Sequence, residues 1–130
     1  MHTLRMDLRW GDQDAFGHVN NTVYFRYMEQ ARIDWLATMG NTLEAVAEGP
    51  VLLDAHCRFM RQLKYPGSID IQVYVETPGR TSLQTAYEIR RVDQPEVLVA
   101  EGSAKIVWIN FQTGKPIPLP HFLRQQLPQP

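Results

Sequence analysis

The hydrophobic periodicity of the chain changes once, at Pro50, from a helical repeat to an alternating one. From about Asn21 to about Met39, apolar side chains recur every three or four residues, which predicts one long amphipathic helix. Asn21 or Thr22 can cap its first turn, and Gly40 suits the position just after its end. The apolar face of this helix contains Tyr24, Tyr27, Met28, Ala31, Trp35 and Met39.

Alternating apolar and polar residues predict one strand before the helix and four strands after the change of period. The last four are separated by short turns, which indicates an antiparallel sheet. A short second helix is expected to begin at residues 41–44 and to end at Gly49-Pro50, and the proline-rich tail after Thr113-Gly114 is expected to lack regular structure. The predicted strands are residues 3–10, 51–59, 69–75, 80–92 and 97–110.

The order of these elements predicts an α+β fold in which one helix packs across one face of a five-stranded antiparallel sheet. A chain of 130 residues with 44% hydrophobic residues can bury one sizeable core, so residues 1–130 are expected to form a single domain. One helix leaves the edge strands of such a sheet open, and pairing with a second copy is one way to cover an edge.

The composition argues against several classes of partner. The net charge is −1 and no basic run exceeds Arg90-Arg91, so a nucleic acid is not expected. No apolar stretch approaches the roughly 18 residues of a membrane helix, and no signal peptide is evident, so we expect a cytoplasmic protein. Cys57 is the single cysteine and is expected to be a core residue, and the four histidines lie too far apart in sequence for a metal site.

The segment between the first strand and the helix places an acid beside a helix N-terminus. Asp14 lies in a polar loop with Asp12 and Gly17, and the free N–H groups at the start of a helix suit a developing oxyanion. Asp14 is therefore a candidate base or nucleophile. The alternative is that Asp14 only stabilises an Asx turn, and Asp12 is expected to be a loop or supporting acid.

Residues 14–32 read D-x-x-G-H-V-N-N-x-x-Y-x-x-x-x-E-x-A-R. This motif resembles the signature of the hotdog-fold acyl-CoA thioesterases, and more narrowly of the 4-hydroxybenzoyl-CoA thioesterase-like branch. The order of predicted elements is similar to that family over nearly the whole chain. The resemblance implies a hotdog fold, hydrolysis of an acyl-CoA to CoA and a carboxylic acid, and no cofactor. It also implies a homodimer, which in relatives often pairs into a tetramer.

The resemblance implies catalytic roles for Asp14, Asn21 and His18. Asp14 would act as nucleophile or general base, and the backbone N–H of Asn21 would polarise the thioester carbonyl. The Asn21 side chain would either join the chemistry or only cap the helix, and His18 would either order the loop or act as a base. Roles in substrate binding are implied for Gly17, Asn20, Tyr24 and Arg80, with Arg80 at the phosphates of CoA.

Three alternatives stay open on the sequence alone. Glu29 could be a nucleophile on the helix, as in another hotdog branch, although its spacing from Arg32 favours a structural ion pair. The protein could instead be a hotdog dehydratase or hydratase of 3-hydroxyacyl thioesters, or a non-catalytic acyl-thioester-binding protein. The sequence contains no G-x-S-x-G motif, which disfavours a serine-type thioesterase.

Overall fold

The computed structural model describes residues 1–41 and 47–128. In chain order, its elements are β1 (His2–Asp7), α1 (Asn21–Thr38), β2 (Glu48–Phe59), β3 (Ser68–Val75), β4 (Ser82–Arg91), β5 (Ala100–Asn110) and α2 (His121–Arg124). A 3-10 turn, Trp10–Asp12, lies between β1 and α1. Within the described ranges, neither helix has the length and apolar character needed to cross a membrane.

The five strands form one antiparallel sheet in the order β1-β3-β4-β5-β2, which confirms the predicted α+β architecture. Strands β1 and β2 are the two edges. Successive side chains of a strand point to opposite faces of a sheet, so one row from each central strand faces the helix. Ile69, Ile71, Val73 and Ile89 of that row are completely buried, in one cluster with residues of α1.

Helix α1 has Asn20 as its N-cap, where the sequence predicted Asn21 or Thr22. The Oδ1 atom of Asn20 accepts a hydrogen bond from the N–H of Thr22 at 2.9 Å, which satisfies a donor that the helix leaves unpaired. The helix ends at Thr38, and Gly40 follows with φ +102°, so the predicted C-terminal glycine is confirmed. Its buried residues are Tyr24, Tyr27, Met28, Ala31, Arg32, Trp35 and Leu36.

Strand β1 ends earlier than predicted, and Trp10 does not belong to its buried row. The alternation holds as far as Leu8, which is 3% exposed, whereas Trp10 is 74% exposed. The cause is the carboxylate of Asp12, which accepts a hydrogen bond from the N–H of Arg9 at 3.1 Å and closes the 3-10 turn. The turn redirects the chain toward the loop that precedes α1.

The prediction that the proline-rich tail lacks regular structure was wrong. Residues 121–124 form the short helix α2, and Leu119, Leu123 and Leu127 are at most 6% exposed. These leucines recur at a helical spacing and pack with Trp35 and Trp108 in a second hydrophobic cluster. The tail therefore covers the end of the sheet that the first half of α1 does not reach.

Edge strand β2 begins at Glu48, so the predicted boundary at Gly49-Pro50 was wrong. The short helix predicted before it lies mainly on residues 42–46, outside the described residues. A register shift between Leu52 and Asp54 also interrupts the predicted alternation. Leu53 lies two residues after Val51, which places both on one face of a regular strand, but Leu53 is 61% exposed.

Candidate active site

A cleft of about 480 Å³ opens where the loop of residues 13–20 meets the first turn of α1 and the end of β2. Its walls come from two stretches of the chain that are distant in sequence. Asp14, His18, Asn21 and Tyr24 line one side, and residues 59–62 line the other. The structure thus gathers all three predicted catalytic residues and one predicted binding residue around one space.

The Asp14 carboxylate is held by the loop and also lines the cleft. Its Oδ1 accepts from the N–H of Phe16 at 2.9 Å, and its Oδ2 accepts from Nδ2 of Asn20 at 3.2 Å. The first contact is an Asx turn, continued by Gly17 N–H donating to the Asp14 carbonyl at 3.0 Å. Gly17 has φ +83°, a conformation that suits glycine. The two interpretations of Asp14 are therefore compatible, because the turn positions the carboxylate.

Asn20 connects Asp14 to the helix. While Nδ2 donates to Asp14, Oδ1 accepts from the N–H and the hydroxyl of Thr22 at 2.9 and 2.6 Å. Asp14 needs a donor and the N–H of Thr22 needs an acceptor, so only one orientation of the amide serves both. This assigns which atom of the Asn20 amide is oxygen and which is nitrogen. Asn20 does not line the cleft, and its side chain acts there through Asp14.

The buried carboxylate of Asp12 connects the loop to Tyr27 of α1 and to Arg9. It is 7% exposed and accepts from the hydroxyl of Tyr27 at 2.8 Å and from Arg9. Burial alone would raise the pKa of Asp12, but the hydrogen bonds from Tyr27 and Arg9 outweigh it and hold the pKa below its ordinary value. The Asp12 carbonyl also accepts from the N–H of Asn20 at 3.0 Å, so Asp12 fixes both ends of the loop.

The backbone N–H of Asn21 is available to a ligand. In the first turn, the N–H groups of Thr22 and Val23 are occupied by the side chain and the carbonyl of Asn20. Within the described chain, the N–H of Asn21 makes no hydrogen bond. A free donor at the positive end of a long helix is the group that an oxyanion needs.

His18 and Tyr24 contribute in different ways to the cleft wall. The carbonyl of His18 accepts from the N–H of Asp14 at 3.0 Å, whereas its ring makes no hydrogen bond to the residues described. Tyr24 is 3% exposed, and its hydroxyl donates to the carbonyl of Arg61 at 3.4 Å. Burial raises the pKa of Tyr24, so its hydroxyl stays neutral where it borders the cleft.

Arg80 lies near the opposite end of the sheet in the same chain. Ser82, two residues after Arg80 and the first residue of β4, pairs with Val107, while Phe59 of the cleft pairs with Ala100. These partners are seven residues apart on β5 (107 − 100), which is about 24 Å at the rise of a strand. One chain therefore does not bring Arg80 to the Asp14 cleft, and its role at CoA phosphate stays a prediction.

The expected pairing of Glu29 with Arg32 was wrong. Glu29 pairs with Arg26 at 3.5 Å, and Arg32 turns inward to the hydroxyl of Tyr87 at 3.1 Å. Glu29 does not line the Asp14 cleft but a separate cavity beside Arg32, and its role as a nucleophile stays untested.

Phe16 and the segment after β2 line the cleft but were not predicted from the sequence. Phe16 is 87% exposed in an otherwise polar loop, and that mismatch was the available signal. The approach of residues 59–62 depends on long-range contacts, such as Val19 N–H to the Leu63 carbonyl at 2.9 Å, which leave no local pattern.

Burial raises the pKa of the Cys57 thiol to about 11, which makes it unreactive. Among the described residues, no group of acidic, His or Cys side chains could hold a metal ion.

Comparison with known proteins yields a consistent result. A family model described as the thioesterase-like superfamily matches residues 8–127. The solved structure of PA2801 from Pseudomonas aeruginosa, provisionally assigned as a thioesterase, superposes with a TM-score of 0.92, with 35% identity and 96% of each chain covered. These matches confirm the hotdog fold implied by the sequence motif.

Two more distant relatives carry assigned substrates. A chloroplastic acyl-acyl carrier protein thioesterase of Arabidopsis thaliana, ATL3, is 25% identical over 136 residues, covering 95% of this chain and 70% of the relative. Slr0204 from Synechocystis, a 1,4-dihydroxy-2-naphthoyl-CoA thioesterase, superposes with a TM-score of 0.89 at 18% identity, covering 95% of this chain and 93% of that one. The second match shows a shared fold.

Proposed function

Because the chain belongs to the thioesterase-like superfamily and is a thioester hydrolase, we propose that it hydrolyses acyl-CoA to CoA and a free carboxylic acid at the Asp14 cleft, without a cofactor. The observation that carries this proposal is the pairing of two groups around one space. The Asp14 carboxylate lines the cleft together with Asn21, whose backbone N–H is unoccupied in the described chain.

The two groups divide the chemistry of the thioester between them. The N–H of Asn21 and the dipole of α1 stabilise the negative charge that develops on the carbonyl oxygen. Removing one such donor from an oxyanion hole typically costs about 10²–10³ in rate. Asp14 acts on the carbonyl carbon from the other side, where the loop holds its carboxylate in place.

Two routes are compatible with this geometry. As a general base, Asp14 takes a proton from water while the oxygen of that water adds to the carbonyl carbon; the C–S bond then breaks, and the proton passes to the departing thiolate. As a nucleophile, an oxygen of Asp14 attacks the carbonyl carbon and expels the thiolate, and water then hydrolyses the resulting anhydride. Both routes need the ionised carboxylate.

A screen of thioesters tests the proposal. We expect the purified protein to release free thiol from at least one acyl-CoA in a panel of short, long and aromatic acyl groups. Acyl-carrier protein thioesters belong in the same panel because the Arabidopsis relative acts on them. Thiol release from carrier-protein thioesters alone would contradict the choice of CoA, and tight binding of acyl-CoA without any thiol release would contradict the hydrolytic assignment.

A further inference from the structure

A second cavity, of about 100 Å³, lies between α1, β2 and the centre of the sheet. Phe25, Met28, Leu52 and Ala55 supply most of its apolar wall, and Arg32 lines it as a buried cation. Arg26 and Glu29 also line the cavity and pair with each other at 3.5 Å, whereas Arg32 has no ion-pair partner among the described residues. A small, mostly apolar cavity with a few charged groups is the usual composition of a ligand subsite.

The guanidinium of Arg32 has donors to spare. The residue is 8% exposed, and the Tyr87 hydroxyl, at 3.1 Å from Nη1, is the one hydrogen-bond acceptor that it reaches among the described residues. No fully shielded side-chain nitrogen of the described residues lacks a partner, so the other nitrogens of Arg32 keep some exposure, and Arg32 lines the cavity. A guanidinium carries five N–H donors, and most of these are available.

Tyr87 cannot neutralise this charge. The Thr85 hydroxyl donates to the Ala104 carbonyl at 3.0 Å and therefore accepts from Tyr87 at 2.6 Å. The Tyr87 oxygen accepts from Arg32, and this contact is a hydrogen bond and not an ion pair. No carboxylate lies within 4.0 Å of Arg32 in the described residues, and Glu29, which also lines the cavity, pairs with Arg26 instead. A buried cation without an anion is costly, and a carboxylate matches the fork of a guanidinium best.

Residues of one face of α1 line both the Asp14 cleft and the cavity. Asn21, Phe25 and Arg32 are spaced so as to share one face of α1, and the ring of Phe59 bridges the two spaces. Phe59 contacts Tyr24, which lines the cleft, and Phe25, which lines the cavity, with ring centroids 5.0 and 6.4 Å apart.

The separation of the two spaces sets the length of a bridging ligand. From Asn21 to Arg32 the helix rises about 16 Å. An extended chain of single bonds advances about 1.2 Å per bond, and the arginine side chain reaches back toward the cleft, so on the order of ten carbons bridge the distance.

Building on the proposed function, we propose that the Arg32 cavity is an anion subsite that binds a carboxylate at the far end of the acyl group. The preferred substrates are then CoA thioesters of straight-chain dicarboxylic acids. The thioester carbonyl lies between Asp14 and the N–H of Asn21, the methylene chain follows the aromatic rings, and the free carboxylate pairs with Arg32.

Three substrates of equal length test this without any mutation: the mono-CoA thioester of a dicarboxylic acid of about ten carbons, its neutral ω-methyl ester, and the unsubstituted acyl-CoA. We expect kcat/KM for the carboxylate to exceed both others by at least about tenfold, since truncating one member of a buried charge pair is costly. Equal or lower kcat/KM for the carboxylate would overturn the subsite while leaving the hydrolase assignment intact.

Variants and a binding measurement supply the controls. Arg32→Met should bring the ratio of kcat/KM for the carboxylate to kcat/KM for its methyl ester to about one. Lys115→Met removes a cation that lines neither space and should keep the wild-type ratio. Free decanedioate should bind the wild type at least about tenfold more tightly than it binds Arg32→Met, as measured by calorimetry. Tighter binding of decanedioate by the wild type, without hydrolysis of any thioester, would support the subsite and reject the proposed function. Equal binding of decanedioate by the wild type and Arg32→Met would reject the subsite.

Discussion

At the scale of single residues, Asn20 joins the chemistry of the cleft to the start of the helix. One end of its amide binds the Asp14 carboxylate, and the other end caps α1. The sequence motif implied that Asn20 binds substrate, which stays a prediction; its contacts within the chain are to Asp14 and Thr22. The motif marks that a residue matters but does not specify which neighbour it serves.

Substitutions of Asn20 should separate its two roles. Asn20→Ser keeps a capping oxygen but loses the donor to Asp14, so we expect kcat to fall by about 10- to 100-fold with little change in KM. Asn20→Ala should add a loss of about 1 kcal/mol in the free energy of unfolding. Steady-state kinetics and urea unfolding of both variants measure this. A serine variant with wild-type kcat would remove Asn20 from the support of Asp14.

At the scale of elements, the buried contact between Tyr27 on α1 and Asp12 in the 3-10 turn fixes the loop to the helix. The hydroxyl of Tyr27 donates to the Asp12 carboxylate at 2.8 Å. The folded-state pKa of Asp12 is lowered, so its contribution to stability is complete above the ordinary aspartate pKa and is lost as the pH falls through the folded pKa.

Tyr27→Phe should therefore destabilise the protein in a pH-dependent way. We expect a loss of about 1.5–3 kcal/mol in the free energy of unfolding at pH 7, typical of a hydrogen bond to a charged group. The loss should shrink below about pH 4, where aspartate protonates in the unfolded chain. Denaturant unfolding at pH 7 and below about pH 4 measures this loss in the free energy of unfolding. Tyr65→Phe is the control, because the hydroxyl of Tyr65 makes no hydrogen bond in the described chain. A penalty independent of pH would contradict this role.

The sequence predicted those elements whose pattern is local. The apolar stripe of α1 and the alternation of β3 predicted the helix and the buried rows of the sheet. Trp10 was misplaced because the side chain of Asp12 ends the strand, and a strand pattern does not register that contact. The tail was misread because its prolines masked the helical spacing of three leucines, whose burial depends on partners distant in sequence.

At the scale of the whole molecule, edge strand β2 is the surface at which we expect a second copy of the chain to bind. β2 pairs with β5 on one side, and Leu52 and Leu53 are 52% and 61% exposed. An exposed apolar edge invites strand pairing. We therefore expect a homodimer as the smallest active species, with β2 at the interface; two such dimers can pair into a tetramer.

Sedimentation of two variants distinguishes the edges of the sheet. Leu53→Asp should shift the protein toward monomer and lower kcat/KM in parallel, because two like charges then meet across the interface. Thr3→Asp places the same charge on β1, the opposite edge, and should leave the wild-type species unchanged. A fully active wild-type monomer at assay concentration would rule out this interface.

The most direct test of the central claim is the rate of thiol release by Asp14→Asn. Asparagine keeps the size and the turn preference of Asp14 but removes the charge, so folding should survive. A loss of kcat by about two orders of magnitude or more is expected when a positioned base is removed. Glu29→Gln, which alters a carboxylate outside the cleft, should retain near-normal kcat. A near-normal kcat for Asp14→Asn together with an inactive Glu29→Gln would place the reacting carboxylate on α1 and contradict the account.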